Sequence, residues 1–480
     1  MPPIDSSELA NHFNRRTFLK QSGLGFGSAA LGALFGQWNQ ANGFTGNGNQ
    51  SYSIPHHPPK IKRVIFLCMA GGPSHLETFD YKPELERLDG KPMPESFTNG
   101  QPIAQLRGQK LKCLRPLTKF RRYGQSGLEF SDFLPYQSQL ADDICVVKSL
   151  VTEQINHDPA HTFMNTGTAI SGRPSMGSWI NYGLGNESEN LPGFVVMSSV
   201  GGRNPQPIAS RQWSAGFLPS RHQGVEFNSA GNPVHYVQNP QGINSRQQGD
   251  LVRSISELDA IRNQKIRNPE IDTRIAAYEL AFRMQTSVPE LTDVSDEPQH
   301  VLDMYGATPG DGSFGSNCLL ARRLAERGVR FIQLYRRGWD HHGGLENYMK
   351  ICCGLTDKPT WALLTDLKQR GMLKDTLVIW GGEFGRTPMF QGKGGAGRDH
   401  HMKGFSMWMA GGGVRGGMSH GATDELGYNS VDDVVHIRDL HATMLHLLGI
   451  NHSRFTVQYQ GLDARLTGVE KANVVKEIIS

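Results

Sequence analysis

The sequence predicts an α/β fold, a three-layer sandwich with a mainly parallel central sheet between helices and with loop-rich insertions. Two observations carry this. Continuous apolar runs of strand length end in glycine or polar loops, as in "RVIFLCMAGG" from Arg63 to Gly72, which suits a central strand buried on both faces. Amphipathic helical stretches alternate with such runs at both ends of the chain, which favours parallel pairing with helical crossovers.

The elements follow in order. Arg15-Arg16, then Phe18-Leu19-Lys20 and an apolar run from Gly23 to Phe35, resemble a twin-arginine export signal. The run is shorter than the ~20 residues that span a bilayer. Residues 1–41 are therefore expected to be a cleaved signal handled by the twin-arginine export machinery, leaving a periplasmic or extracellular protein with no stable transmembrane span. Residues 42–60, polar and then proline-rich, read as a linker. The domain is expected over 61–470, followed by a tail at 471–480. Within it "DDICVVKSL" reads as a second strand, and "NCLLARRLAERG" then "VRFIQLYRRGWDHH" as helix, glycine stop and strand. "WALLTDLKQRGMLKDTLVIWGGEFGRTP" repeats that order, "GFSMWMAGGGVRGG" adds a strand and "RDLHATMLHLLGI" a late helix. Residues 190–310 read as a loop-rich insertion or cap with one helical stretch, "IDTRIAAYELAFRMQ".

Composition narrows the partners. Lys plus Arg number 49 against 45 Asp plus Glu, too even for nucleic acid or an acidic membrane surface as the main partner. The six cysteines form no CxxC pair, so free, buried thiols are expected.

Three polar clusters carry the candidate chemistry. "GWDHHGG" holds Asp340, His341 and His342, and "GRDHHMKG" holds Asp399, His400 and His401. Imidazole and carboxylate together ligate zinc and similar ions. On an extended segment Asp340 and His342 share a face while His341 turns away, so one histidine of each pair is expected to support rather than ligate. "INHDPAHTFMNTG" places His157 and His161 at i and i+4, a spacing that can bind metal on a helix. Pro159 points instead to a turn or to a helix that begins there. Ser175 follows a proline and opens a helix, either as its cap or as a nucleophile beside an anion site.

"VIFLCMAGGPSHLETFDYKP", "NHDPAHTFMNTGTAISGRPSMGSWINYGLG", "WDHHGG", "GGEFGRTP", "GRDHH" and "RDLHATMLHLLGI", in that order, resemble the domain-of-unknown-function 1501 family of exported, sulfatase-like bacterial proteins over about residues 61–470. The resemblance implies the alkaline-phosphatase-like α/β fold of phosphatases, sulfatases and cofactor-independent phosphoglycerate mutases. It also implies a metal site in which Asp340 and His342 resemble the superfamily's Asp/His pair and His400 its last histidine ligand. "RPSMGSWINYGLG" resembles the mutases' serine segment and nominates Ser175 as nucleophile. Glu383 stands where the superfamily has the aspartate of an Asp-His dipeptide, with Phe384 in the histidine position. The first-strand aspartate is missing from "GGPSH", leaving Ser74, His75 or Asp80 to compensate, and the formylglycine signature of classical sulfatases is absent.

The expected function is therefore an exported metal-dependent hydrolase of phosphate or sulfate esters, with a sulfated or phosphorylated glycan among the expected substrates. One or two divalent ions, zinc with calcium or manganese as alternatives, would polarise the ester oxygens while Ser175 attacks. Glu383 would hold a second ion or orient the nucleophile. Arg173 or Arg386 would pair with the anion, and His75, His157, His161, Asp399 and His401 would bind substrate or support the ligands. The alternative is a catalytically degenerate protein of the same fold that binds a metal, a glycan or a partner. A redox reading of "AGGGVRGG" lacks the G-x-G-x-x-G order.

Overall fold

A computed structural model describes residues 54–201, 206–231, 233–234, 239, 242–392 and 395–480. The signal expected at 1–41 lies outside the described residues, as does the linker before residue 54. The rest of that linker runs along the chain that follows the last long helix, with His56 N donating to Gly449 O (2.8 Å) and Lys60 N to Leu447 O (2.8 Å).

The main elements are β1 (Arg63–Ala70), β2 (Ile144–Val151), α1 (His157–Thr166), α2 (Met176–Leu184), β3 (Phe194–Ser198), β4 (Val225–Phe227), α3 (Ser245–Ile266), α4 (Pro269–Thr292), α5 (Phe314–Glu326), β5 (Phe331–Arg337), α6 (Leu345–Gln369), β6 (Thr376–Gly381), β7 (Phe405–Gly411), β8 (Met418–His420), β9 (Val435–His436) and α7 (Ile437–Leu447). The nine-stranded sheet runs β8-β2-β7-β6-β1-β5-β3-β4, with β9 also on β2. Every pairing is parallel except those of β7, which runs against both β2 and β6. Register aligns the carboxyl ends of the central strands: Ala70 pairs with Arg337 and Cys68 with Gly381. The loops after β1, β5 and β6 therefore leave the sheet side by side, the usual ligand edge of such a sheet.

β1 shows why this sheet holds. Val64, Phe66, Cys68 and Ala70 enter one core with Phe163 and Met164 of α1, Trp179 and Ile180 of α2, and Leu440, Met444 and Leu445 of α7. The alternate side chains Ile65, Leu67 and Met69 are equally buried and face the other layer, where α5 packs on β5 and on α6. All six cysteines are buried and unpaired.

The chain divides into two compact units, the larger formed by Phe44–Pro233 and Leu291–Ser480. In the smaller, which includes Val234–Glu290, α3 and the body of α4 form an antiparallel helical hairpin. Arg274 pairs with Asp259 (3.0 Å), Asn263 donates to Asp272 (2.7 Å), and Phe282 packs against Gly249. The region 190–310, expected to be loop-rich, thus contributes two strands of the central sheet and two long helices. The expected helical stretch lies within α4; the strands are short and α3 is mostly exposed and polar, so these give no strong apolar pattern. Among the described residues no helix is long and apolar enough to cross a membrane.

Candidate metal centre

Four segments at the carboxyl edge of the sheet meet in one cluster. Asp340 and His342 follow β5, Glu383 follows β6, and His157 and His161 lie on α1 after β2. His400 precedes β7, whose reversed direction starts it at this same edge. The two-residue strand His400–His401 pairs with Gly385–Arg386 and anchors that segment beside Glu383. Pro159 is accommodated because the third residue of α1 lies in its first turn, where an N–H has no intrahelical acceptor. Gly71 has φ of 122°, and a Cβ there would meet the Asp340 backbone nitrogen at 2.5 Å. Only glycine lets the β1 loop approach the Asp340 loop so closely.

The candidate ligand atoms fall into two groups, His157, Asp340, His342 and His400, and His157, His161 and Glu383, each with all its atoms within 4.8 Å of one another. In the first, Asp340 Oδ1 lies 2.9 Å from His342 Nε2 and 3.2 Å from His400 Nε2, while Asp340 Oδ2 lies 3.3 Å from His157 Nε2. In the second, Glu383 Oε1 lies 2.6 Å from His157 Nδ1 and 3.3 Å from His161 Nε2. His161, Glu383 and His400 form a buried floor, with side chains 0%, 0% and 6% exposed. His157, Asp340 and His342, at 15%, 16% and 23%, face outward.

Neighbouring groups orient the donors. The Ile155 carbonyl accepts from His400 Nδ1 (2.9 Å) and Gln391 Oε1 from His342 Nδ1 (2.6 Å), so both rings turn an Nε2 lone pair into the cluster. The Gly71 N–H donates to both oxygens of Glu383 (3.1 Å each). Burial pushes His400 down to about 4 against the opposing pull of Asp340, so the ring is neutral at pH 7. Burial also lowers His161. Glu383 would rise on burial, but the nearby His161 and a hydrogen bond from His157 bring it down to about 2. For Asp340 the same burial is outweighed by the close contacts of His157, His342 and His400 and by the Arg386 charge, which hold it well below the carboxylate range.

The donor set fits a divalent cation. Both ring nitrogens of His161 are buried and lack a hydrogen-bond partner among the described residues, a costly state that an ion beside Nε2 would relieve. Two carboxylates, Asp340 and Glu383, share the cluster with His161 and His400, whose burial favours the neutral, lone-pair-bearing ring that a cation needs.

The remaining sequence candidates supply no donor atom to either group. Ser175 is fully buried and caps α2, its Oγ bonding Ser178 Oγ (2.9 Å). None of its described contacts reaches the cluster. Arg173 lines a separate cavity of about 220 Å³ near the carboxyl end of α1, its guanidinium over Phe217 and Tyr459. Arg386 is 1% exposed and spent on Asp340 Oδ1 (2.6 Å), Gly71 O and Gly72 O (2.9 Å), so it positions Asp340 and leaves no free face for an anion. His401 bonds the Tyr428 carbonyl (2.6 Å), His75 the Gly427 carbonyl (2.8 Å) and His341 the Gly338 carbonyl (2.8 Å). Asp399 accepts from Leu106 N (2.7 Å) and His400 N (2.9 Å) and so fixes the backbone behind His400. Phe384 packs its ring on His157 (4.9 Å) and His400 (4.6 Å) and walls the site. Sequence reasoning missed Gln391 and Gln105, whose amides bond each other (3.1 Å) over His342; a glutamine in a polar loop carries no signal of such a role.

No curated protein matches the sequence. Among solved structures, the PsFucS1 sulfatase from Pseudoalteromonas sp. is similar at a TM-score of 0.32 and 13% identity, over 81% of this chain and 68% of that one. Alkaline phosphatase from the Antarctic bacterium TAB5 gives 0.30 and 11%, over 82% and 99%. The lipoteichoic acid synthase LtaP from Listeria monocytogenes gives 0.33 and 9%, over 92% and 80%. Likenesses of this size carry no conclusion about what this chain acts on. Residues 61–479 match the family model described as "Protein of unknown function (DUF1501)", and the chain belongs to that family.

Proposed function

We propose that the protein is an exported metal-dependent hydrolase of phosphate or sulfate esters. The observation that carries this reading is the convergence of Asp340, His342, His400, His157, His161 and Glu383 at the carboxyl edge of the sheet. Asp340, His342 and His400 would hold one divalent ion, and Glu383 with His161 a second, zinc being the best match to this imidazole-rich set. Such an ion supplies Lewis-acid polarisation of an ester oxygen and activation of water. The chain's own residues do the rest. Arg386 holds Asp340 in place, while Gln391 and the Ile155 carbonyl keep the lone pairs of His342 and His400 directed inward. The ester approaches from the outward side of His157, Asp340 and His342, past the amides of Gln105 and Gln391. Because Ser175 is committed to capping α2, the nucleophile in this reading is water.

A second reading, a metal-holding protein without turnover, is favoured by that same engagement of Ser175. One experiment separates the two. Metal-depleted protein is reloaded with zinc, manganese or calcium and assayed with p-nitrophenyl phosphate and p-nitrophenyl sulfate, beside an Asp340→Asn, His400→Ala variant. Metal-dependent turnover lost in the variant supports the hydrolase. Metal uptake without turnover on either ester supports the binding protein. Absence of metal from both chains refutes both readings.

A further inference from the structure

We propose that His157 bridges two divalent cations through its two ring nitrogens, as an imidazolate shared by both halves of the site. The inference deepens the metal-centre reading and rests on it. His157 is the one residue common to the two donor groups. Its Nε2 faces Asp340 Oδ2 (3.3 Å) and its Nδ1 faces Glu383 Oε1 (2.6 Å), so the ring lies between the two carboxylates with one nitrogen toward each.

A neutral imidazole carries one N–H and one lone pair, so it serves one donor group as a ligand and the other only as a proton donor. The make-up of the two groups argues for more. Beside His157, Glu383 and His161 supply two ligands, one short of the three protein ligands typical of an open zinc site. Asp340, His342 and His400 already supply three. The half that needs the ring contains Glu383, yet the ring also turns Nε2 to the other half. It is held in that attitude by the first turn of α1, by Phe384 at 4.9 Å and by an edge contact with His400 at 4.3 Å. His161 Nε2, buried and without a hydrogen-bond partner among the described residues, lies 3.3 Å from the same Glu383 oxygen and marks the second position independently.

Forming the bridge breaks the remaining ring N–H bond. The proton passes to solvent, and the electron pair left on nitrogen becomes the bond to the second cation. The two ions and Arg386 then outweigh the charges of Asp340, Glu383 and the imidazolate, so the filled site keeps a positive balance suited to an anionic ester.

The test uses the full chain, stripped of metal by chelation and loaded with Cu²⁺, with copper per chain measured by elemental analysis and electron paramagnetic resonance recorded on the same samples. Two ions per chain are expected in the wild type, with most of the ordinary Cu²⁺ signal lost to exchange coupling through the ring. Glu383→Gln, which preserves side-chain shape, should bind one ion and restore an ordinary uncoupled signal. His157→Ala should show no coupling at any loading; should it fail to fold by circular dichroism, the wild-type and Glu383→Gln spectra decide. Two uncoupled ions in the wild type, or one only, would overturn the bridge while leaving a metal centre in place. No copper bound at all would overturn the bridge and the metal reading together.

Discussion

Arg386→Met is the sharpest probe of how the cluster is built. The guanidinium is 1% exposed and donates to Asp340 Oδ1 (2.6 Å), to Gly72 O (2.9 Å), to Gly71 O and to Arg398 O (3.1 Å). Removing one member of a buried ion pair costs about 3–5 kcal/mol, because the other charge stays buried and uncompensated. Asp340 keeps its contacts with His157, His342 and His400, which places the expected loss near the lower end, about 3 kcal/mol in metal-free protein. Adding Asp340→Asn removes the stranded charge, so the double variant should lose less than the two single losses combined, with a coupling of about 1–3 kcal/mol. Urea unfolding followed by tryptophan fluorescence is the assay, since Trp179, Trp213, Trp339, Trp361, Trp380 and Trp408 all lie in the larger unit. A loss below about 0.5 kcal/mol for Arg386→Met, or additivity within about 0.5 kcal/mol, would refute the idea that this cation balances the site.

Three further outcomes are expected. Burial pushes His222 and His441 down to about 4 and His341 and His401 to about 3; the unfolded chain therefore binds their protons first, so stability is complete above about pH 6.5 and falls toward pH 4, by up to ~1.4 kcal/mol per pH unit for each ring. A urea midpoint that stays flat from pH 7 to 4.5 would contradict this. Ser175→Ala should cost about 0.5–2 kcal/mol through the lost cap of α2, with metal content and ester turnover unchanged; abolished turnover would return Ser175 to the mechanism. His400→Ala should lower metal per chain, whereas His401→Ala should retain metal while losing stability, because it strips the Tyr428 carbonyl of its buried donor; equal metal loss in both would mean that His401 also ligates.

The chain's own pattern was enough for the α/β class. Continuous apolar runs such as Arg63 to Ala70 and amphipathic helices such as Phe314 to Glu326 declare themselves locally, because a strand buried on both faces and a helix with one buried face each leave a short-range signature. The Asp-His-His triplets announced a candidate metal site for the same reason: rare side chains able to ligate stood together on the chain. Tertiary structure decided which members meet. His400 and His401 are neighbours, yet the two-residue strand aims one at Asp340 and the other at Tyr428, an alternation fixed by pairing with Gly385–Arg386. His157 and His161 had helical spacing, but the sheet register that sets the β2, β5 and β6 loops together is what places them against Glu383. Ser175 and Arg173 had the right chemistry for an anion site, and long-range packing put them elsewhere. Residue type and spacing act over one or two turns of chain, whereas the meeting of candidate ligands is settled over separations such as the 226 residues between His157 and Glu383, which only the folded sheet closes.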